Sequence, residues 1–165
     1  MNPKSPALSP SLAELLKELT KQEKGEVTEE KSPGPPHPAT VFDGKKRKIL
    51  AVDDVQEVLN TILAILGDTY DVRVTKTADS AISLASINDF DLFLLDYGMP
   101  DMTGAELLSI FRSMPLHKHT PAIFLTANAR QEVVQKVASL GVRYYIVKPV
   151  KPDYLLARIN DVFTS

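Results

Sequence analysis

Residues 91–104 read DLFLLDYGMPDMTG. Leu92 to Leu95 are apolar without interruption, so neither face of this short segment alternates toward water. Bounded by Gly98, Pro100 and Gly104, such a run reads as a strand buried on both faces. It stops on Asp96, and helical spacing resumes at Leu107, Leu108 and Phe111. The same succession recurs on either side. Strands are expected at 48–52 (KILAV), 71–75 (DVRVT), 91–95 (DLFLL), 121–125 (PAIFL) and 144–147 (YYIV). The intervening stripes are Val55, Val58, Leu59, Ile62, Ile65 and Leu66; Ala78, Ala81, Ile82 and Ala85; and Val133, Val134, Val137 and Leu140. Leu155, Leu156, Ile159 and Val162 form the last. Five strand–helix units imply an α/β fold, an open doubly wound five-stranded parallel sheet covered on both sides.

In such a sheet, ligands sit beyond the carboxyl ends of the strands, where strand order reverses. The first strand ends in Asp53-Asp54, the third in Asp96, the fourth in Thr126 and the fifth in Lys148. The second ends in nothing comparable (Thr75-Lys76-Thr77). With strand order 2-1-3-4-5 the contributing strands are contiguous and the silent one is an edge. Each residue has a plain alternative: a lone strand-end Asp is usually a helix N-cap, and a strand-end Thr follows from β propensity. Their joint placement is what points to a site. Three gathered carboxylates repel one another unless a cation intervenes. An all-oxygen donor set without His or Cys selects a hard ion, and Mg²⁺ fits best. With Lys148 as a point charge and Thr126 as a hydroxyl, the set suits phosphoryl transfer onto an Asp carboxylate.

The 165 residues carry a formal charge of −2 and contain no cysteine, which excludes disulfides, thiolate metal sites and cysteine nucleophiles. Residues 1–48 carry +2 and 49–165 carry −4, so the expected domain lacks the basic face of a nucleic-acid binder. Seven of the twelve prolines lie before residue 39. The expected organisation is an N-terminal extension over 1–47 and a domain over 48–165. Within the extension, Ser11 and Glu14 fit a capping box, and Leu12, Leu15, Leu16 and Leu19 make a stripe, predicting a short amphipathic helix at about 11–22. A helix of that length needs something to pack on. Residues of about 25–44 read as a Pro-rich linker. The basic run Lys45, Lys46, Arg47 and Lys48 reads as a solvated lead-in to the first strand. No apolar run approaches the roughly 20 residues that span a bilayer, and MNPKSPALSP lacks the order of a secretory signal. A cytoplasmic protein without membrane insertion is expected.

Over about residues 47–164 the chain resembles the receiver domain of two-component response regulators. The matching motifs are ILAVDD, DLFLLDYGMPDMTG, AIFLTA and YYIVKP, with separations of 42, 30 and 22 residues between Asp54, Asp96, Thr126 and Lys148. The resemblance implies a flavodoxin-like (βα)5 fold with Asp96 as phosphoacceptor. It implies Mg²⁺ held by Asp53, Asp54, Asp96 and the main-chain carbonyl of Gly98, with Thr126 and Lys148 on the phosphoryl group. It also implies a cis Lys148–Pro149 bond and a switch in which Thr126 moves inward and Tyr145 rotates into the vacated space. Tyr144, Gly98 beside the acceptor and Val142 after Gly141 depart from the family's usual residues.

The partners implied are a histidine kinase or phosphotransfer protein as donor and a downstream protein contacted through the fourth helix, fifth strand and fifth helix. Seventeen residues follow Lys148, room for a last helix, so a single-domain response regulator is expected, a signalling domain and not an enzyme. A phosphatase of the haloacid-dehalogenase type would need an acid where Gly98 stands. A flavin carrier would need a phosphate loop where Asp53 to Glu57 stand. The remaining alternative is a degenerate receiver acting as a phosphorylation-independent scaffold.

Overall fold

The computed structural model describes residues 41–42, 45–128 and 130–164; the expected helix at 11–22 and most of the linker lie outside them. Five parallel strands form one sheet: β1 (Lys48–Val52), β2 (Asp71–Thr75), β3 (Leu92–Asp96), β4 (Ala122–Thr126) and β5 (Tyr144–Val147). Their order is β2-β1-β3-β4-β5, with β2 at an edge as the silent strand end required. Two strands start one residue later than the sequence indicates. Pro121 has no N–H to give the ladder and only accepts, from Phe93 N–H at 3.0 Å. Asp91 uses its side chain to accept the Lys48 N–H at 2.7 Å. The shift draws Asp96 and Thr126 into the strands as their last residues.

Helices α1 (Gln56–Leu66) and α5 (Pro152–Thr164) cover one face of the sheet. Helices α2 (Ala78–Ile87), α3 (Gly104–Arg112) and α4 (Gln131–Ser139) cover the other. Along β1, β3, β4 and β5 successive side chains alternate between the two cores, so an unbroken apolar run is what a doubly covered strand requires. Leu59, Ile62 and Leu66 carry the α1 stripe, whereas Val55 is 41% exposed. Val55 is the N-cap, with extended backbone (φ −100°, ψ 115°), and so falls outside the helical periodicity. The buried face of α2 is alanine (Ala78, Ala81, Ala85), which lets that helix lie close to the sheet. Gly141, at φ 76°, ends the turn after α4 in the left-handed region that favours glycine.

A short antiparallel ladder, Val41–Phe42 with Lys45–Lys46, precedes β1, where the sequence reads as linker and lead-in. The intervening Asp-Gly in the sequence is a hairpin signal. At the opposite end of the sheet from the polar strand ends, His117 is fully buried at the end of a short 3-10 turn (Pro115–His117) between α3 and β4. Its Nε2 lies 2.9 Å from the Ala85 carbonyl and 3.0 Å from that of Asn88, and its Nδ1 lies 3.3 Å from the Thr120 hydroxyl.

Helix α3 is placed by its first turn. Thr103 and Glu106 form a reciprocal capping box, at 3.1 and 3.0 Å. The Gly104 N–H donates to the Tyr97 carbonyl at 2.9 Å. A Cβ on Gly104 would run into the main-chain oxygen of Asp96 and come within 3.0 Å of Phe124 Cε1. The helix start is therefore pressed directly onto the end of β3. Gly104→Ala is expected to lower stability by about 1–3 kcal/mol, read as a reduced urea midpoint, because the obstacle is backbone. Thr103→Ala, which only removes the cap, should cost about 1 kcal/mol. An unchanged midpoint for Gly104→Ala would contradict this close seating.

Candidate functional site

The carboxyl edge of the sheet gathers charge. Asp53 leaves β1 with its N–H donating to the Thr75 carbonyl at 3.2 Å, and its side chain is fully buried. Oδ1 of Asp53 accepts the Val55 N–H at 2.9 Å, an Asx-type turn that aims the carboxylate inward rather than capping α1. Asp96 ends β3 and is 4% exposed; its Oδ1 accepts from the Gly98 N–H at 3.3 Å. Asp54 is exposed, and carboxylate oxygens of Asp53, Asp54 and Asp96 lie within 4.8 Å of one another. Lys148 continues β5, its N–H donating to the Thr126 carbonyl at 2.8 Å, and the Lys148–Pro149 bond is cis. Its Nζ lies 3.1 Å from Asp96 Oδ1 and 2.7 Å from Asp53 Oδ2. The contact with Asp53 is a buried ion pair in which the ammonium is the counter-charge for Oδ2.

The electrostatics follow from that crowding. Burial, reinforced by the Asp53 charge, raises the Asp96 carboxyl to about 6, against the opposing pull of Lys148. Burial also works against the Lys148 ammonium, but its contacts with Asp53 and Asp96 outweigh it and hold the amine above the ordinary lysine range. The carboxylates thus outnumber the single ammonium that bridges them. An all-oxygen cluster with more carboxylates than ammonium groups fits a hard divalent cation such as Mg²⁺.

Two expected participants stand differently. Thr126 is 3% exposed, and its hydroxyl donates to the Asn128 carbonyl at 2.7 Å, away from the acid cluster. Tyr145 lies in the core between the sheet and α2, α3 and α4, at 4% exposure, so its ring already points inward. Gly98 has no atom within 4 Å of where a Cβ would stand, leaving open space beside the acceptor carboxylate. Sequence reasoning missed Asn128, which receives the Thr126 hydroxyl. The available signal was an Asn two residues past a strand-end Thr, a spacing at which both side chains favour local turns.

The sequence model described as "Response regulator receiver domain" matches residues 49–160. The chain is 32% identical over 118 residues to the chemotaxis protein CheY of Pseudomonas aeruginosa, covering 70% of this chain and 95% of that relative. It is 34% identical over 122 residues to CheY-3 of Vibrio cholerae, covering 72% and 93%. The solved structure of CheY4 from Vibrio cholerae superposes with a TM-score of 0.67 at 32% identity, over 70% of this chain and 98% of that one. The chain belongs to the response regulator receiver domain family.

Proposed function

We propose that this protein is a single-domain response regulator. Asp96 takes a phosphoryl group from a phosphohistidine on a histidine kinase or phosphotransfer protein. An Asp96 oxygen attacks phosphorus, the P–N bond breaks, and the leaving imidazole takes a proton from solvent, giving an acyl phosphate. The observation that carries this reading is the gathering of Asp53, Asp54 and Asp96 at the carboxyl edge of the sheet, where one ammonium bridges Asp53 and Asp96. Lys148, already bonded to Asp96, shifts to a phosphoryl oxygen, while Thr126 supplies a hydrogen bond to another. Asp53, Asp54, Asp96 and the Gly98 carbonyl would hold Mg²⁺. When bound, that ion neutralises charge on the phosphoryl oxygens. The open flank at Gly98 and the exposed Ala127 leave the donor a path to a carboxylate that is otherwise enclosed.

In this reading the domain spans about 48–165, follows an extension over 1–47 and works in the cytoplasm. No helix among the described residues is long and apolar enough to cross a membrane. The output is a protein–protein contact through α4, β5 and α5. Tyr144 and Tyr154, partly buried on that side, flank the Arg158 guanidinium at 5.1 and 5.2 Å, and such Arg–aromatic groups are common anchors of protein interfaces.

Incubation with acetyl phosphate and Mg²⁺ should add one phosphoryl group by intact mass. The adduct should vanish in Asp96→Ala and on chelation, and Lys148→Ala should slow labelling about tenfold or more through loss of a charge-assisted contact. No adduct where a control receiver is labelled would favour the scaffold alternative.

The raised Asp96 carboxyl carries its own test. Because the folded state holds this proton more tightly than the unfolded chain, its contribution to stability is largest at low pH. That contribution declines as pH rises from about 4 to about 6. Without divalent cations, Asp96→Asn should therefore gain on wild type across that window by about 1–3 kcal/mol, measured by urea denaturation. Excess Mg²⁺ should narrow the gap by binding the native wild type. A gap independent of pH would refute the assignment of charge strain to Asp96.

A further inference from the structure

A helix laid on one face of a sheet keeps its far side in water. Helices α1 and α4 do so. Opposite their buried stripes, Asn60, Thr61 and Ala64 on α1 and Gln135, Lys136 and Ser139 on α4 are all exposed. Helix α5 differs. Leu155 and Ile159 face the core, yet no residue from Tyr154 to Phe163 is exposed. Ala157 stands directly opposite Leu155 and Ile159 around the helix and is half-buried, whereas Ala64, in the matching place on α1, is open. Arg158 keeps only 17% of its side chain in water. Among the described residues, α5 packs on β5 and α1, which account for its inner side and one flank. The outer side is left to another cover.

The chain carries a segment suited to that place. Residues 11–22, SLAELLKELTKQ, bear the stripe of Leu12, Leu15, Leu16 and Leu19, which needs an apolar surface to pack on. As a helix this segment would run about 18 Å, close to the roughly 20 Å of the 13-residue α5. The described chain also enters beside α5. The Arg47 guanidinium lies 4.5 Å over the ring of Phe163, near the end of α5, and the Tyr70 ring is 5.9 Å from the same ring. Residues 23–40 form a tether that spans roughly 23 Å as a flexible chain, enough to return the leucine segment along the helix. We infer that residues 11–22 lie as an amphipathic helix on the outer side of α5 and the adjoining edge of β5, with the leucines against Tyr144, Tyr154, Ala157 and the aliphatic stem of Arg158. The face proposed above for output therefore already holds a segment of the same chain, and a partner must displace it. That consequence rests on the proposed output contact; the docking itself requires no phosphoryl group.

Hydroxyl-radical footprinting of the full chain, read by mass spectrometry without any phosphodonor, tests the docking. In wild type Tyr144 and Tyr154 should be protected, with Ile87, 80% exposed, as the open reference. Leu15→Asp with Leu16→Asp should raise labelling at both tyrosines about threefold, because losing two buried leucines shifts docking by roughly tenfold or more. Labelling of Ile87 and of the buried Phe93 should not change. Lys17→Ala with Lys21→Ala, on the far side of the same segment, should leave the wild-type footprint. The chain has no cysteine, so position can be read directly. Leu16→Cys paired with Ala157→Cys should be joined within one chain by a short bis-maleimide, and Leu16→Cys paired with Ala138→Cys on α4 should not. Tyrosines already open in wild type, a footprint unmoved by Leu15→Asp with Leu16→Asp, or equal joining to Ala157→Cys and Ala138→Cys would each overturn the inference. So would joining that forms only between chains and grows with protein concentration, the mark of a second copy as occupant. These outcomes do not depend on whether Asp96 gains an adduct, so the docking and the acceptor reading stand or fall separately.

Discussion

Burying like charges side by side is the constraint around which this molecule is arranged. Asp53 is fully buried and Asp96 nearly so, and a single ammonium, that of Lys148, bridges them from the neighbouring end of the sheet. Three separate strands must end in register for that bridge to exist. The fold supplies this through a parallel sheet in which β1 is apolar from Ile49 to Val52 and β3 and β4 carry no polar side chain until their last residue. The bridge is incomplete. One ammonium faces more than one carboxylate, which leaves this edge of the sheet short of positive charge. A site left short of positive charge in this way is suited to reversible loading rather than to a permanent structural role.

Much of this was legible in the sequence, for an identifiable reason. Unbroken apolar runs such as Leu92 to Leu95 occur where both faces of a strand are covered, and β2, at one edge, betrayed itself by having no polar residue of interest at its end. What escaped were features that depend on single bonds. Pro121 and Asp91 moved two strand starts by one residue, since one lacks an N–H and the other has a side chain with a better use. Val55 fits a helical stripe by spacing but sits at the cap, where periodicity has not begun. Spacing places Thr126 and Tyr145 at their strand positions. It says nothing of side-chain rotation, and rotation decides whether a hydroxyl faces the acid cluster or the next loop.

The two ends of the sheet are built by different means. At the carboxyl edge the contacts are polar, few and mutually exclusive, as the single Thr126 proton illustrates. Helix α3 is the exception there, since Gly104 lets it press onto the Asp96 backbone and so fixes one wall of the pocket. Helix α4, held through Asn128, has no such close seating at its start.

At the amino edge, the imidazole of His117 has a consequence for how displacement spreads. With two carbonyl oxygens about Nε2, that nitrogen must carry a hydrogen, so the neutral ring exists as one tautomer, with Nδ1 left to accept from Thr120. A ring locked in this way tolerates little tilt, and Phe93 packs edge-on against it at 5.1 Å. The end of α2 and the turn before β4 are thereby riveted into one stiff base. A displacement of either segment is therefore carried to the other through the ring.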